Sequence, residues 1–218
     1  MGRPKYRLEK LLKELRKHGI GDERVLAALE RVPRERFISG EQQELAYRNA
    51  PLPIGEGQTI SQPFVVAFML QELRLAGTEH VLEVGTGSGY QTALLAELTN
   101  SVVSTERHAS LADGARQRLA RLGYTNVAVY AADGTRGWPR NAPYDAIVVS
   151  AGAPEVPTAL LDQLADGGRL ILPVGSLVSQ KLFLVQRRGE HFERYDRGDV
   201  RFVPLVGEEG WGGRASSN

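Results

Sequence analysis

The stretch His80–Tyr90, H-V-L-E-V-G-T-G-S-G-Y, decides the fold. Val81, Leu82 and Val84 form the short apolar run of a parallel strand buried on both faces. Gly85, Gly87 and Gly89 follow at alternate positions and leave a turn with almost no side-chain bulk. Behind it, Gln91–Leu98 returns to helical spacing through Ala93, Leu94, Leu95, Ala96 and Leu98. Strand, glycine turn and helix at the edge of a parallel sheet let backbone N–H groups approach a ligand closely. The stretch reads as a cofactor cradle, with a tight glycine turn in some other α/β fold as the competing reading.

The spacing of the glycines narrows the ligand. A dinucleotide site needs G-x-G-x-x-G, and Tyr90 stands where the third glycine of that pattern belongs. Glu83 precedes the first glycine by two residues, so the turn reads E-x-G-x-G-x-G, which resembles motif I of the class I S-adenosylmethionine-dependent methyltransferases. Glu106 ends the next apolar run, Ser101–Thr105, and lies 21 positions after Gly85. That is close to the ~20 expected for a carboxylate accepting from a ribose diol. An ordinary solvated carboxylate at a strand end is the plain alternative.

Outward from this centre, strands and helices alternate. Ser110–Leu122 reads as a helix, Asn126–Ala131 as a strand and Tyr144–Ser150 as another strand. Val156–Leu164 then reads as a helix and Arg169–Pro173 as a strand. Such alternation predicts right-handed βαβ units and a doubly wound, mostly parallel sheet. Lys181–Arg187 and Asp199–Leu205 are expected as two further strands joined by the polar segment around Glu190–Gly198. Asp133-Gly134, directly after a strand, suits an exposed turn or an acceptor for an adenine amino group. Upstream, Tyr6–His18 and a helix capped by Asp22 carry amphipathic stripes and read as a helical cover. The Pro- and Gly-rich loop Pro51–Pro63 retains Ile54 and Ile60, which predicts that it packs against the body. In it Ser61 reads as the N-cap of a helix Gln62–Leu75, a role that does not exclude chemistry. Residues 207–218 read as a frayed tail apart from Trp211. A single domain is expected, with residues 1–56 a helical extension and loop, 57–206 the catalytic core and 207–218 the tail.

Composition excludes several classes. Lysines and arginines nearly balance the acids, for a net charge of +1, so no polyanion-binding surface is expected and nucleic acid is a weak candidate partner. There is no cysteine, which removes disulfides, thiolate metal sites and a cysteine nucleophile together. The four histidines show no paired ligand spacing, and no metal is expected. No apolar run approaches the ~20 residues of a membrane span and no signal-peptide core is visible. A soluble, cytoplasmic monomer is the expectation.

Several stretches together are similar to one family, the protein-L-isoaspartate O-methyltransferases. They are A-Y-R-N-A-P-L-P-I-G (46–55), G-Q-T-I-S-Q-P (57–63), V-L-E-V-G-T-G-S-G-Y (81–90), A-D-G (132–134), Y-D-A-I-V-V-S-A-G-A-P (144–154), G-G-R-L-I-L-P-V-G (167–175) and V-R-F-V-P-L (200–205). The T-I-S-x-P loop and the V-P-L strand are the most particular to the family. The resemblance implies methyl transfer from S-adenosylmethionine to the free α-carboxylate of L-isoaspartyl residues in damaged proteins. The ester then closes to a succinimide unaided, and hydrolysis restores part of it to aspartyl linkage. It also implies that Ser61 is the catalytic residue. Cofactor positions would be Thr59, Ile60, Ser61, Gln62, Glu83, Gly85, Thr86, Gly87, Gly89, Glu106, Arg107, Asp133 and Gly134. Some relatives carry histidines where this chain has Phe64 and Val66, and a hydroxyl residue where it has Val206. A small-molecule methyltransferase and a non-catalytic binder of the same fold are the alternatives.

The chemistry asks for few groups. A carboxylate with a pKa near 4 is already ionised at neutral pH, so no general base is needed. Holding oxygen, methyl and sulfur in line can supply up to ~7–11 kcal/mol. Ser61 is expected to donate to one carboxylate oxygen and aim the other. Backbone groups near Ala151, Gly152 and Val203 are expected to hold the substrate extended.

Overall fold

The computed structural model describes residues 4–212. Two amphipathic helices open the chain, α1 (Pro4–Lys17) and α2 (Glu23–Arg31). The Asp22 carboxylate caps α2 by accepting from the N–H groups of Arg24 and Val25. Two short 3-10 turns, Arg34–Phe37 and Gly40–Leu45, lead to a hairpin of β1 (Leu52–Gly55) and β2 (Gln58–Ile60). This hairpin pairs across residue 56, the limit expected for the N-terminal extension. Helix α3 (Pro63–Leu73) follows, and then the alternating body: β3 (His80–Val84), α4 (Tyr90–Leu98), β4 (Ser101–Glu106), α5 (Ala109–Arg121), β5 (Val127–Ala131), β6 (Tyr144–Val149), α6 (Thr158–Asp162), β7 (Leu164–Gly175), β8 (Gln180–Arg188) and β9 (His191–Val200).

The main sheet has the order β5-β4-β3-β6-β7-β8-β9. Pairing is parallel from β5 through β7 and antiparallel for β8 and β9. The order reverses between β3 and β6, and a crevice outside the carboxyl ends of these two strands is where ligands of such sheets bind. Alternate side chains of the central strands enter two cores. Val81, Val102, Ala146 and Val148 pack with α1 through α5, while Leu82, Val84, Ile147 and Val149 pack on the other face with Leu160 of α6 and Leu205. The N-terminal helices therefore share one apolar cluster with α3 and α4.

Three segments differ from their sequence reading. Residues 191–198, expected within a polar connection, form most of β9, which ends at Val200, while residues 201–205 of the expected strand make only a bridge between Pro204 and Gly152. Strand β9 is an exposed sheet edge, so it carries charge where a buried strand would alternate, and charge protects an edge from pairing with other chains. Helix α6 is five residues long and begins only at Thr158, since Pro157 keeps the preceding residue out of helical geometry. The expected frayed tail is docked as far as it is described. Strands β10 (Val206–Gly207) and β11 (Trp211–Gly212) pair, and the N–H groups of Glu208 and Glu209 donate to Asp133 and Thr135. Residues 213–218 of that tail lie outside the described residues. Among the described residues, no helix is long and apolar enough to cross a membrane, and no cluster of three or more His, Asp and Glu could hold a metal.

Candidate active site

At the switch point, the turn after β3 is built of left-handed glycines, with φ of +97° at Gly85, +53° at Gly87 and +86° at Gly89. Side-chain residues resist this conformation, so the alternate glycines are what lets the loop coil. The N–H groups of Gly85 and Thr86 both donate to the Thr105 carbonyl, at 2.8 and 3.2 Å. The Ser150 N–H donates to the Val84 carbonyl at 2.8 Å, which fixes the end of β6 beside the loop. Hairpin β1–β2 lies over it: a Cβ on Gly87 would stand 3.2 Å from Ile54 Cδ1.

Behind the loop is a buried polar network. Glu83 is wholly buried, and its Oε2 accepts from Thr92 Oγ1 at 2.5 Å and from Ser104 Oγ at 2.7 Å. The Thr86 hydroxyl contacts Ser104 Oγ at 2.5 Å and continues the chain to the glycine turn. Glu83 Oε1 is buried without a partner. Burial pushes this carboxyl up to about 7, opposed by the hydrogen bonds from Ser104 and Thr92.

A cavity of about 960 Å³, counting its open mouth, lies in front of the turn. Its wall includes Thr59, Ile60, Ser61, Gly85, Thr86, Gly87, Glu106, Arg107 and Gly134, all of them expected cofactor positions, together with Ala151 and Val203. Glu106 is not a solvated carboxylate. Its Oε2 accepts the Gly87 N–H at 2.9 Å and its Oε1 accepts the His108 N–H at 3.0 Å. Each oxygen keeps a further lone pair for a ligand hydroxyl.

The other expected positions lie off this wall. Glu83 sits behind the turn, and Gly89 opens α4 at its N-cap. Gln62 lines a neighbouring groove and donates to the Asn49 carbonyl. Asp133 accepts from Thr135 and from the Glu208 N–H; these bonds hold its carboxyl below the ordinary aspartate range against the opposing effect of burial. The Gly152 N–H donates to the Val203 carbonyl, and its own carbonyl accepts from Leu205 and from Trp211 Nε1. Both its backbone groups are spent internally, which corrects the expectation that they grip a substrate.

Ser61 does not cap α3. Gln62 is the N-cap, without a side-chain cap bond, and the helix begins at Pro63. The first free N–H of the helix, that of Phe64, donates instead to the Asn49 side-chain oxygen at 3.0 Å. The Ser61 carbonyl instead accepts from Arg34 Nη1 at 2.9 Å. Ser61 lines both the cofactor-side cavity and the second, wider groove, and so do Thr59, Ser150, Val203 and Pro204. Leu177, Arg201 and Phe202 line only the groove. The two spaces meet at the serine.

Sequence reading missed five features of the site. Arg34 stands among other charges in P-R-E-R-F, with nothing to mark it as buried. Gln91 donates to Ser150 Oγ at 2.8 Å from what reads as the first residue of a helix. Two contacts of the tail, to Asp133 and from Trp211, join segments far apart in sequence. His108 lines the cavity with Nδ1 3.8 Å from Glu56, a histidine–carboxylate pair near the motifs. It lies beside Glu106 and Arg107 and does not line the groove beyond Ser61.

Known proteins resemble this chain in sequence and fold. The family model described as Protein-L-isoaspartate(D-aspartate) O-methyltransferase (PCMT) matches residues 6–210. Protein-L-isoaspartate O-methyltransferase 2 of Pelobacter propionicus is 56% identical over 209 residues, covering 94% of this chain and 93% of the relative. The protein-L-isoaspartate O-methyltransferase of Methanoculleus marisnigri is 53% identical over 203 residues, covering 93% and 92%. Among solved structures, one protein-L-isoaspartate O-methyltransferase superposes with a TM-score of 0.85 at 31% identity, covering 93% of this chain and 67% of its own. A Plasmodium falciparum protein of that description, solved with S-adenosyl-L-homocysteine, gives 0.79 at 27% identity over 90% of this chain and 97% of its own.

Proposed function

This chain belongs to the protein-L-isoaspartate(D-aspartate) O-methyltransferase family and uses S-adenosylmethionine to methylate isoaspartyl carboxylates, and from that premise we propose how its site does so. The glycine cradle, the Glu106 carboxylate and the cavity in front of them fit that cofactor, which supplies an electrophilic methyl group when bound. Glu106, with spare lone pairs at both oxygens, holds the ribose hydroxyls. Thr59, Ile60, Ser61, Gly85, Thr86, Gly87, Arg107 and Gly134 surround the rest. Glu83 and Gly89 serve by shaping the turn, Gln62 by bracing the loop before α3, and Asp133 by holding the tail against the site.

Ser61 is the catalytic residue of this reading. Its hydroxyl makes no cap bond and stands where the two spaces meet, free to donate to one oxygen of an incoming carboxylate. That donation turns the second oxygen toward the cofactor side. Ala151 borders the cofactor-side cavity and Val203 borders both spaces, and together they guide an extended substrate backbone. No residue has to remove a proton, since the carboxylate arrives ionised. The position of Ser61 at the junction is the observation that carries the proposal. The acceptors are isoaspartyl segments of proteins and peptides. A cytoplasmic monomer acting without nucleic acid completes the reading, in keeping with a net charge of +1 and the lack of cysteine.

Transfer of a labelled methyl group to an isoaspartyl peptide, with its aspartyl twin as control, tests this directly. Base-labile label in the isoaspartyl peptide alone is expected. Equal label in both peptides, or none in either, would overturn it.

A further inference from the structure

Arg34 is the largest fully buried side chain described, and it comes from the N-terminal cover rather than from the sheet. Its guanidinium fans across three backbone carbonyls. Nε donates to Ala46 at 2.8 Å, Nη1 to Ser61 at 2.9 Å and Nη2 to Ala50 at 3.3 Å. Its central carbon lies 5.2 Å from the centre of the Tyr90 ring, and Tyr90 is on the cavity wall. Burial brings the group down to about 10, with Tyr90 and Tyr47 opposing, so it remains ionised at neutral pH. A buried cation costs free energy unless every donor is used. An apolar side chain of that volume would leave these carbonyls without their donor.

The three bonds do something an apolar residue could not. Fixing the Ser61 carbonyl fixes the peptide plane that follows Ser61. On the other side Ile60 is buried and paired with Leu52 in the hairpin. With both flanking peptides held, the direction of the Ser61 Cα–Cβ bond is set. Asn49 adds a second tie: its side-chain oxygen accepts the Phe64 N–H at 3.0 Å, and its carbonyl accepts from Gln62 at 3.0 Å.

We propose that Arg34 is a positioning residue for methyl transfer, acting through the Ser61 carbonyl to aim the Ser61 hydroxyl at the carboxylate, with Asn49 as a weaker second tie. Lysine cannot replace it, because one ammonium does not reproduce a planar fork reaching three carbonyls. The inference rests on the role given to Ser61 above, and the test separates the two.

The experiment is a double-mutant cycle on the full chain with Arg34→Lys, Ser61→Ala and both together, following kcat and KM for an isoaspartyl peptide and S-adenosylhomocysteine affinity by calorimetry. Arg34→Lys is expected to lower kcat roughly 10- to 100-fold, the scale of a small misplacement at a reacting centre. Cofactor affinity should stay within about threefold, as expected for a cost confined to orientation. In the Ser61→Ala background the same change should cost almost nothing more, since there is no hydroxyl left to aim. Asn49→Ala, which leaves Arg34 in place, covers the case in which Arg34→Lys does not fold; it should lower kcat a few-fold and also lose its effect without the Ser61 hydroxyl. Full turnover in either folded variant, or costs that add independently of Ser61, would overturn the proposal. If Ser61→Ala itself turns over normally, the role of Ser61 fails first and Arg34 falls with it.

Discussion

At the scale of single residues, the site uses side chains twice. Glu106 bonds the Gly87 N–H and keeps lone pairs for a ligand, so it shapes the glycine loop and faces the cavity at once. Hydrogen bonds to a charged group are worth about 1.5–3 kcal/mol. Glu106→Ala is therefore expected to weaken S-adenosylhomocysteine binding by roughly 10- to 100-fold. Calorimetry giving unchanged affinity would contradict its assignment to the ribose. Its position was legible because the distance from the first glycine along β3–α4–β4 is set by the length of one crossover. The same logic found Asp133 but not its use. Its partner in the tail, the Glu208 N–H, lies 75 residues away, beyond any local pattern.

At the scale of elements, the parts legible from sequence are those whose burial follows one periodicity. Strands β3, β4 and β6 are buried through nearly their whole length and read as apolar runs. Strand β9 has one partner and no cover, so its composition reports solvent, and the reading placed the strand too late in the chain. The hairpin β1–β2 was legible only as a loop that packs. Its tip reaches α5, where Ser110 Oγ donates to Glu56 at 2.6 Å, a contact no local pattern announces. Its fit over the glycine turn can be tested with Gly87→Ala. That methyl group must occupy a φ of +53° and press on Ile54 at 3.2 Å. A loss of about 1–2 kcal/mol in unfolding free energy is expected from the backbone alone, with weaker cofactor binding added. A variant with unchanged denaturation and affinity would show that the hairpin does not rest on the turn.

At the scale of the whole molecule, the buried Glu83 couples the site to stability. Burial raises its pKa from 4.5 to about 7. Between these values the folded chain holds a proton that the unfolded chain has lost. Its contribution to stability is thus fully present below about pH 4.5, falls as pH rises, and is lost above about 7, by an amount on the order of a few kcal/mol. Glu83→Gln keeps an acceptor for Thr92 and Ser104 without the titration. Its melting temperature is expected to rise relative to the parent between pH 5 and pH 8, and a difference constant across that range would refute the assignment. The N-terminal cover belongs to the same scale. It shares a core with the sheet and delivers Arg34 to the loop before α3, so it touches the segment that carries Ser61 as well as covering apolar surface.

The role of an orienting hydroxyl is tested most directly by kcat and S-adenosylhomocysteine affinity measured side by side for Ser61→Ala. A fall in kcat of roughly 100-fold, with affinity and melting temperature close to the parent, is the expected result. Turnover near that of the parent, in a folded variant that binds the cofactor product normally, would contradict it.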